Sequence, residues 1–376
     1  MANSPSVELF PPPGAAGVSS QNPNKTNEEE EQKSSRKWSK RKYTLLVVLN
    51  YALLFSGSIS STLISKYYFI HKGSSKWVST FVQSAGFPLL LAPIYLPFIL
   101  GCIKRRPFTG LTRRLLLLSA GVGLLLGVNN LLFSLGNSYL PVSTFSLLLS
   151  SQLAFNLILS FLIVNQKLNF LNLNCVVLLT MSSVLLALSS NKDRPPGEHL
   201  WVGFFSTLGA GLLFALYLPV MEVIYRQVDC YGMVVEMQLV MEVVATAFAG
   251  AGMWAGGGFA DMRVESRGGF DEGPTVYWVT IGGNIVVWQL CFVGTAGMVF
   301  LTTSLTGGIC MTGLMAANVV GGVVVYGDEF GGVKAVAALV CVWGFSSYLY
   351  GICVKKFELC IADFGMRMFI KMDRQR

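Results

Sequence analysis

From Tyr43 onward the chain alternates between long apolar stretches and short polar breaks, and none of its 28 Lys and Arg residues falls in the middle of an apolar stretch. About 20 consecutive apolar residues are needed to cross the roughly 30 Å hydrocarbon core of a bilayer as a helix. Ten stretches meet that length, with approximate cores at 44–65, 77–103, 115–137, 142–164, 168–190, 200–224, 232–256, 275–299, 302–325 and 332–354. A chain that must satisfy every backbone group inside lipid has only helices or a closed barrel open to it. Stretches of this length and uniformity select helices. Charged residues make up 13% of the chain, about half the soluble norm, which fits the same reading.

The stretch Tyr139 to Lys167, YLPVSTFSLLLSSQLAFNLILSFLIVNQK, is unusually polar for a spanning helix. It carries no charge between Val142 and Val164, yet it holds Ser143, Thr144, Ser146, Ser150, Ser151, Gln152, Asn156 and Ser160. Gln152, Asn156 and Ser160 follow i, i+4, i+8 and share one stripe. An amide-bearing face has no partner in lipid, so it turns to neighbouring helices or to an aqueous cavity. A transport pathway lined in part by this helix is the working expectation.

The net charge of +8 invites a nucleic-acid reading, but the basic residues sit in short clusters beside the apolar stretches. With ten spans, one side of the membrane receives 20 Lys/Arg and the other 8, which places both tails in the cytoplasm. Residues 1–42 are expected to be a disordered cytoplasmic tail with no cleaved leader, because no apolar segment follows Met1. Residues 43–355 form the ten-helix domain, and 356–376 a basic cytoplasmic tail. The eight Cys show no CxxC pair and the only histidines are His71 and His199, so no metal site is expected. The glycine pairs near Gly121 and Gly256 lack the GK[ST] of a phosphate loop.

A faint internal repeat divides the domain at about 43–190 and 200–355. At an offset of 162, Asn156 falls on Asn318 and Lys167 on Glu329. Two halves of five spans are necessarily inverted, an architecture that secondary transporters use around a midplane site. The fold class is therefore an all-α polytopic membrane protein of ten transmembrane helices in two inverted five-helix repeats.

Carboxylates inside a span cost roughly 2.5–3.5 kcal/mol on the insertion scale and mark functional sites by default. Glu222, Glu236 and Glu242 qualify, with no basic residue expected at their depth. That setting suits proton coupling. Glu222 and Glu236 lie nearer the span ends, where snorkelling to water is an alternative; Glu242 lies about ten residues into its span. Substrate-binding candidates are Asn129, Gln152, Asn156, Gln238 and Asn318, amides able to read a heterocycle edge, with Trp288 as a stacking partner. Each amide can equally serve as interhelical glue. The Gly-rich segment Gly256 to Gly273 reads as a flexible outside loop.

Several motifs resemble the plant purine permease family of the drug/metabolite transporter superfamily. They are Trp77-Val-Ser-Thr-Phe-Val-Gln-Ser-Ala-Gly-Phe-Pro88, Tyr139 to Lys167 with Asn169 to Leu188, Leu218-Pro-Val-Met-Glu222, Val235-Glu-Met-Gln-Leu-Val-Met241, and Gly327-Asp-Glu-Phe-Gly-Gly-Val-Lys334 with Trp343-Gly-Phe. The resemblance implies ten helices, cytoplasmic tails, and proton-coupled import of adenine-like purines, with cytokinins or alkaloids as substrates of some members. One departure bears on substrate identity: many members carry prolines in the ninth span, where this chain reads Gly313-Leu-Met-Ala-Ala-Asn-Val-Val-Gly-Gly322.

The expected function is secondary active import of purine nucleobases and derivatives by proton symport with alternating access at the plasma membrane, with the proton gradient as energy source and no cofactor. The expected partners are a small purine-like substrate and the lipid bilayer, with no nucleic acid. Transport of alkaloids, vitamins or other heterocycles is the alternative, and a non-transporting membrane receptor a more distant one. No Ser/His, Asp/Asp or metal-ligand constellation sits at depth, so an enzyme is not expected.

Overall fold

A computed structural model of the chain describes residues 40–101, 105–164 and 198–328, with parts of 170–185 and 331–350. The chain divides into two units, Met1–Tyr43 and Thr44–Arg376. The two expected tails lie outside the described residues, apart from the few that open the first helix. Among the described residues there are helices and turns and no strand.

Among the described residues eight helical segments are long and apolar enough to cross a membrane: Tyr43–Ile70, Lys76–Ile99, Arg113–Tyr139, Val142–Val164, Trp201–Tyr225, Tyr231–Ala255, Gly273–Leu301 and Ser304–Tyr326. They match eight of the ten apolar stretches. The fifth stretch lies largely outside the described residues, and the tenth is represented by a shorter apolar helix, Ala335–Gly344.

The helices are α1 (Lys40–Ile70), α2 (Lys76–Ser84), α3 (Leu91–Ile99), α4 (Arg113–Tyr139), α5 (Val142–Leu149), α6 (Gln152–Val164), α7 (Glu198–Tyr225), α8 (Tyr231–Ala255), α9 (Gly258–Val264), α10 (Gly273–Leu301) and α11 (Ser304–Tyr326). Helix α4 lies against both α7 and α8; α2 packs on α8, α4 and α10; α6 packs on α7 and α11, and α5 on α11. Side chains are sorted inside out. Leu117, Phe205, Val279 and Val324 are each more than 60% exposed, whereas Asn50, Asn156, Glu242 and Asn318 are fully buried. Water would reverse that arrangement and hydrocarbon favours it, so this is a multi-pass membrane protein.

Helix crossings are close where glycine permits. A Cβ at Gly57 of α1 would strike the Cys291 backbone of α10, and one at Gly294 would meet Leu54 N at 2.5 Å. These two glycines let α1 and α10 touch backbone to backbone.

Two spans are broken. The second is α2 and α3 joined by a 3-10 turn, Phe87–Leu90, with Pro88 in its first turn. A proline has no N–H for the helix ladder, so the break is local chemistry. The fourth span, expected as one continuous helix, divides at Ser150–Ser151 between α5 and α6. There the bonds tighten, with Ser151 N donating to Leu148 O at 3.2 Å and Leu153 N to Ser150 O at 3.2 Å. The Ser150 hydroxyl donates back to Leu147 O at 2.6 Å. Serine hydroxyls compete for backbone carbonyls in this way and bend helices. Helix α11, by contrast, is unbroken over 23 residues, as the absence of proline in the ninth stretch allows.

The segment Gly256–Gly273 is ordered rather than a loose loop. Gly257 adopts φ 75° and ends α8, after which α9 and a π-turn, Glu265–Gly269, follow. Glu265 is buried and accepts from Tyr68 Oη at 2.8 Å and from Ser74 N at 2.8 Å. Phe270 is buried beside Tyr277, with ring centroids 5.6 Å apart. Composition alone registered the glycines and missed these anchors.

Candidate substrate cavity

Seven of the described helices, α1, α4, α5, α6, α7, α10 and α11, line a small cavity of about 40 Å³. Its polar wall comes from Ser58, Ser61 and Thr62 of α1, Asn129 of α4 and Gln152 of α6. Its apolar wall comes from Phe133, Phe214, Trp288, Phe292, Met311 and Met315. The break in the fourth span places Leu149 and Gln152, which flank it, on the cavity surface. Irregular backbone at membrane depth is tolerated where it lines a cavity.

Three of the expected binding residues, Asn129, Gln152 and Trp288, line this cavity together. Asn129 Oδ1 and Gln152 Nε2 are buried with no hydrogen-bond partner among the described residues. One is an acceptor and the other a donor. The Trp288 indole donates to Ser65 Oγ at 3.2 Å. Its ring meets Phe133 edge-on, centroids 5.0 Å apart at 85°, and Phe292 at 5.5 Å and 31°. The aromatic surface is thus held in one orientation.

The other three lie away from the cavity lining. Asn156 Nδ2 donates to Ser304 O at 3.2 Å, and its Oδ1 accepts from Ser160 Oγ at 3.2 Å. Both side chains of the stripe below Gln152 therefore tie α6 to the start of α11. Asn318 Nδ2 donates to Thr62 Oγ1 at 3.3 Å, behind a residue of the polar wall. Gln238 sits deeper, accepting from Tyr217 Oη at 3.4 Å and donating to Glu242 Oε1 at 2.9 Å.

Glu242 is fully buried and is not among the cavity-lining residues. Its Oε1 accepts from Gln238 Nε2 and, at 3.1 Å, from Gln289 Nε2; its Oε2 has no partner among the described residues. Gln289 directly follows Trp288 on α10, so the carboxylate and the aromatic wall share adjacent residues of one helix.

For the other two carboxylates, the expectation that no basic partner exists is corrected. Arg105 Nη2 lies 2.9 Å from Glu236 Oε2, reaching in from the connection after α3. Arg226 Nη2 lies 3.0 Å from Glu222 Oε1, one turn on and just past the end of α7. Glu222 Oε2 also accepts from Ser304 N at 2.7 Å. A carboxylate at a helix N-terminus satisfies an orphan amide and complements the helix dipole. Glu222 thereby caps α11.

Sequence reasoning missed the polar face of α1. Ser58, Ser61, Thr62 and Ser65 recur at i, i+3, i+4, i+7, and that spacing was available to find it. Among the described residues one group could hold a metal: His71, Asp271 and Glu272 bring ligand atoms within 4.8 Å of one another. They lie at the surface, and His71 Nδ1 is 3.0 Å from Asp271 Oδ1 as an ordinary pair.

Comparison with known proteins agrees with this architecture. A family model described as purine nucleobase transmembrane transport matches residues 45–358. "Probable purine permease 4" of Arabidopsis thaliana is 61% identical over 292 residues, covering 76% of each chain. "Purine permease 2" of the same plant is 35% identical over 330 residues, covering 82% of this chain and 92% of its own. "Purine permease 3" is 34% identical over 320 residues, covering 81% and 90%. A family match over most of the chain, on a bundle of membrane-spanning helices around a small-molecule cavity, makes this a transporter and not an enzyme. The chain belongs to the purine permease family, whose activity is purine nucleobase transmembrane transport.

Proposed function

We propose that the chain imports purine nucleobases and their derivatives, adenine and cytokinins among them, by proton symport with alternating access. The observation that carries this reading is the pairing of a partnerless acceptor, Asn129 Oδ1, with a partnerless donor, Gln152 Nε2, on the wall of an aromatic cavity. A purine edge presents ring-nitrogen acceptors beside N–H donors, and amide side chains match that pattern. Trp288 and Phe133 supply faces for the ring. Glu242 carries the proton in this scheme, being the one carboxylate of the three held by amides alone.

The architecture we infer is ten helices in two inverted five-helix halves, at the plasma membrane, with both tails in the cytoplasm. The 20-to-8 division of Lys and Arg supports the orientation. The broken fourth span supports a midplane site, since secondary transporters build such sites from discontinuous helices. The proton gradient is the energy source, and the scheme needs no cofactor.

The test is uptake of labelled adenine by cells lacking their own purine uptake, across pH 5 to 8 and with a protonophore. Uptake that rises toward acid pH and collapses with the protonophore supports symport; uptake indifferent to both defeats it. A second reading has its own support. Phe214, Phe292, Met311 and Met315 make one wall apolar and adaptable, which suits heterocycles with bulky substituents, alkaloids or vitamins included. Such compounds would then compete with adenine at lower concentration than adenine itself.

A further inference from the structure

We propose that Gln289 is the second half of the proton site: Glu242 Oε2 takes the proton, and Gln289 Oε1 accepts the resulting O–H. The inference rests on the reading of Glu242 as the proton carrier and adds the group that receives and orients the proton.

The two side chains already share one bond, from Gln289 Nε2 to Glu242 Oε1 at 3.1 Å. The other arm of each is empty-handed. Glu242 Oε2 and Gln289 Oε1 are both buried and both without a hydrogen-bond partner among the described residues. Both are acceptors while the acid is ionised, so no bond can form between them. Adding one proton changes that. An O–H bond forms at Oε2, the carboxylate becomes neutral, and the acid now donates to the amide oxygen while still accepting from the amide nitrogen. A carboxylic acid and a primary amide close a two-bond ring in this way. On release the O–H bond breaks, the charge returns, and the ring reopens to the single N–H bond. Gln238 Nε2, also on Oε1 at 2.9 Å, holds that oxygen in both states and leaves Oε2 as the atom that changes.

Gly86 adds an independent observation. Its φ of −74° is ordinary for any residue, so its backbone does not require glycine. A Cβ there would come within 2.6 Å of Gln289 Oε1 and 3.0 Å of Ile285 O, so an alanine would push the amide oxygen aside. The helix-breaking turn between α2 and α3 therefore passes against the amide oxygen that the ring needs. Gln289 also follows Trp288 on α10, so closing the ring fixes the helix segment that carries the cavity's indole. Gln289 is thus a positioning residue, acting through Glu242 and beside the substrate wall.

Among the described residues no other charged side chain is bonded to Glu242, and the charges of α9, Asp261 and Arg263, belong to the segment after the end of α8. Tyr217 and Tyr225 of α7 are the titratable neighbours of Glu242, and Cys291 of α10 lies beside Tyr217. Helices α2 and α4, also packed on α8, carry charges only at their first residues, Lys76, Arg113 and Arg114. Glu236, at the start of α8, is engaged with Arg105.

The experiment is infrared difference spectroscopy, pH 5 minus pH 8, on the full chain in nanodiscs. The wild type is expected to show a protonated-carboxyl C=O band that Glu242→Gln removes. In Gln289→Met the same band persists but moves to higher frequency, because the acid has lost both the N–H on Oε1 and the acceptor of its O–H. Gly86→Ala, which displaces the amide oxygen without touching the acid, gives a shift of the same sign and keeps the inference testable if Gln289→Met fails to fold. Adenine uptake in these two variants is expected to change its pH midpoint. A Glu242 band at the wild-type position in both variants would overturn the role of Gln289 and leave Glu242 as carrier. The absence of any band sensitive to Glu242→Gln would overturn the carrier assignment itself, and the ring with it.

Discussion

Asn129→Leu asks whether the cavity reads the purine edge. Leucine shares asparagine's branching at Cγ, so the change removes both polar atoms of the amide while keeping its shape. Asn129 is buried on the cavity wall and its Oδ1 has no partner to lose among the described residues. The cost falls on the bound substrate, which keeps an N–H it can no longer satisfy. An unsatisfied buried polar group costs about 1–3 kcal/mol, equivalent to a roughly 5- to 150-fold loss in affinity. The assay is concentration-dependent uptake of adenine, purine and 9-methyladenine, normalised to the amount of protein at the membrane. Purine lacks the exocyclic amine and 9-methyladenine lacks N9–H, so one of them lacks the donor that Asn129 faces. For that compound wild type and variant should have similar KM, while adenine suffers the full penalty. An unchanged KM for adenine, or the same penalty for all three compounds, would refute direct reading by Asn129.

Other outcomes follow from the same contacts. Glu222→Ala removes a charged acceptor from Ser304 N and should cost about 1–3 kcal/mol of stability, seen as a lower melting temperature in detergent, while the pH profile of uptake keeps its shape. A displaced pH profile would instead return Glu222 to the proton pathway. Gly57→Ala should sharply reduce folded protein, because α10 backbone occupies the space, whereas Gly121→Ala, with open space around it, should be neutral or stabilising by about 0.5–1 kcal/mol; fluorescence size-exclusion of the two variants compares them directly. Trp288→Ala should raise the KM for every purine tested, and Trp288→Phe should recover much of the loss, since a ring face survives. Equal KM values for the two Trp288 variants would remove stacking from the account.

The helical spans were legible because lipid imposes a requirement that composition records: no charge over a bilayer's width. Eight of the expected spans appear among the described residues at nearly the expected bounds. What the sequence concealed was direction. Gln152, Asn156 and Ser160 do share a stripe, but the stripe runs from the cavity to the first turn of α11, so one end meets substrate space and the other meets Ser304. The break at Ser150–Ser151 carries no Pro or Gly and arises from hydroxyls turning on their own backbone, which propensity alone does not announce. Ion pairing was half legible. Arg226 lies four residues beyond Glu222, just past the end of α7, a spacing that foretells contact, whereas Arg105 is 131 positions from Glu236 and only the fold joins them. Glu242 stood out by depth, and it is the one whose surroundings hold amides but no ion pair.

The most direct test of proton-coupled purine transport uses the purified chain reconstituted in proteoliposomes with an imposed pH gradient, acid outside. The account predicts that labelled adenine accumulates inside above its external concentration, that collapsing the gradient releases the excess, and that Glu242→Gln only equilibrates adenine. Equilibration without accumulation by the wild-type protein, gradient or no gradient, would contradict it.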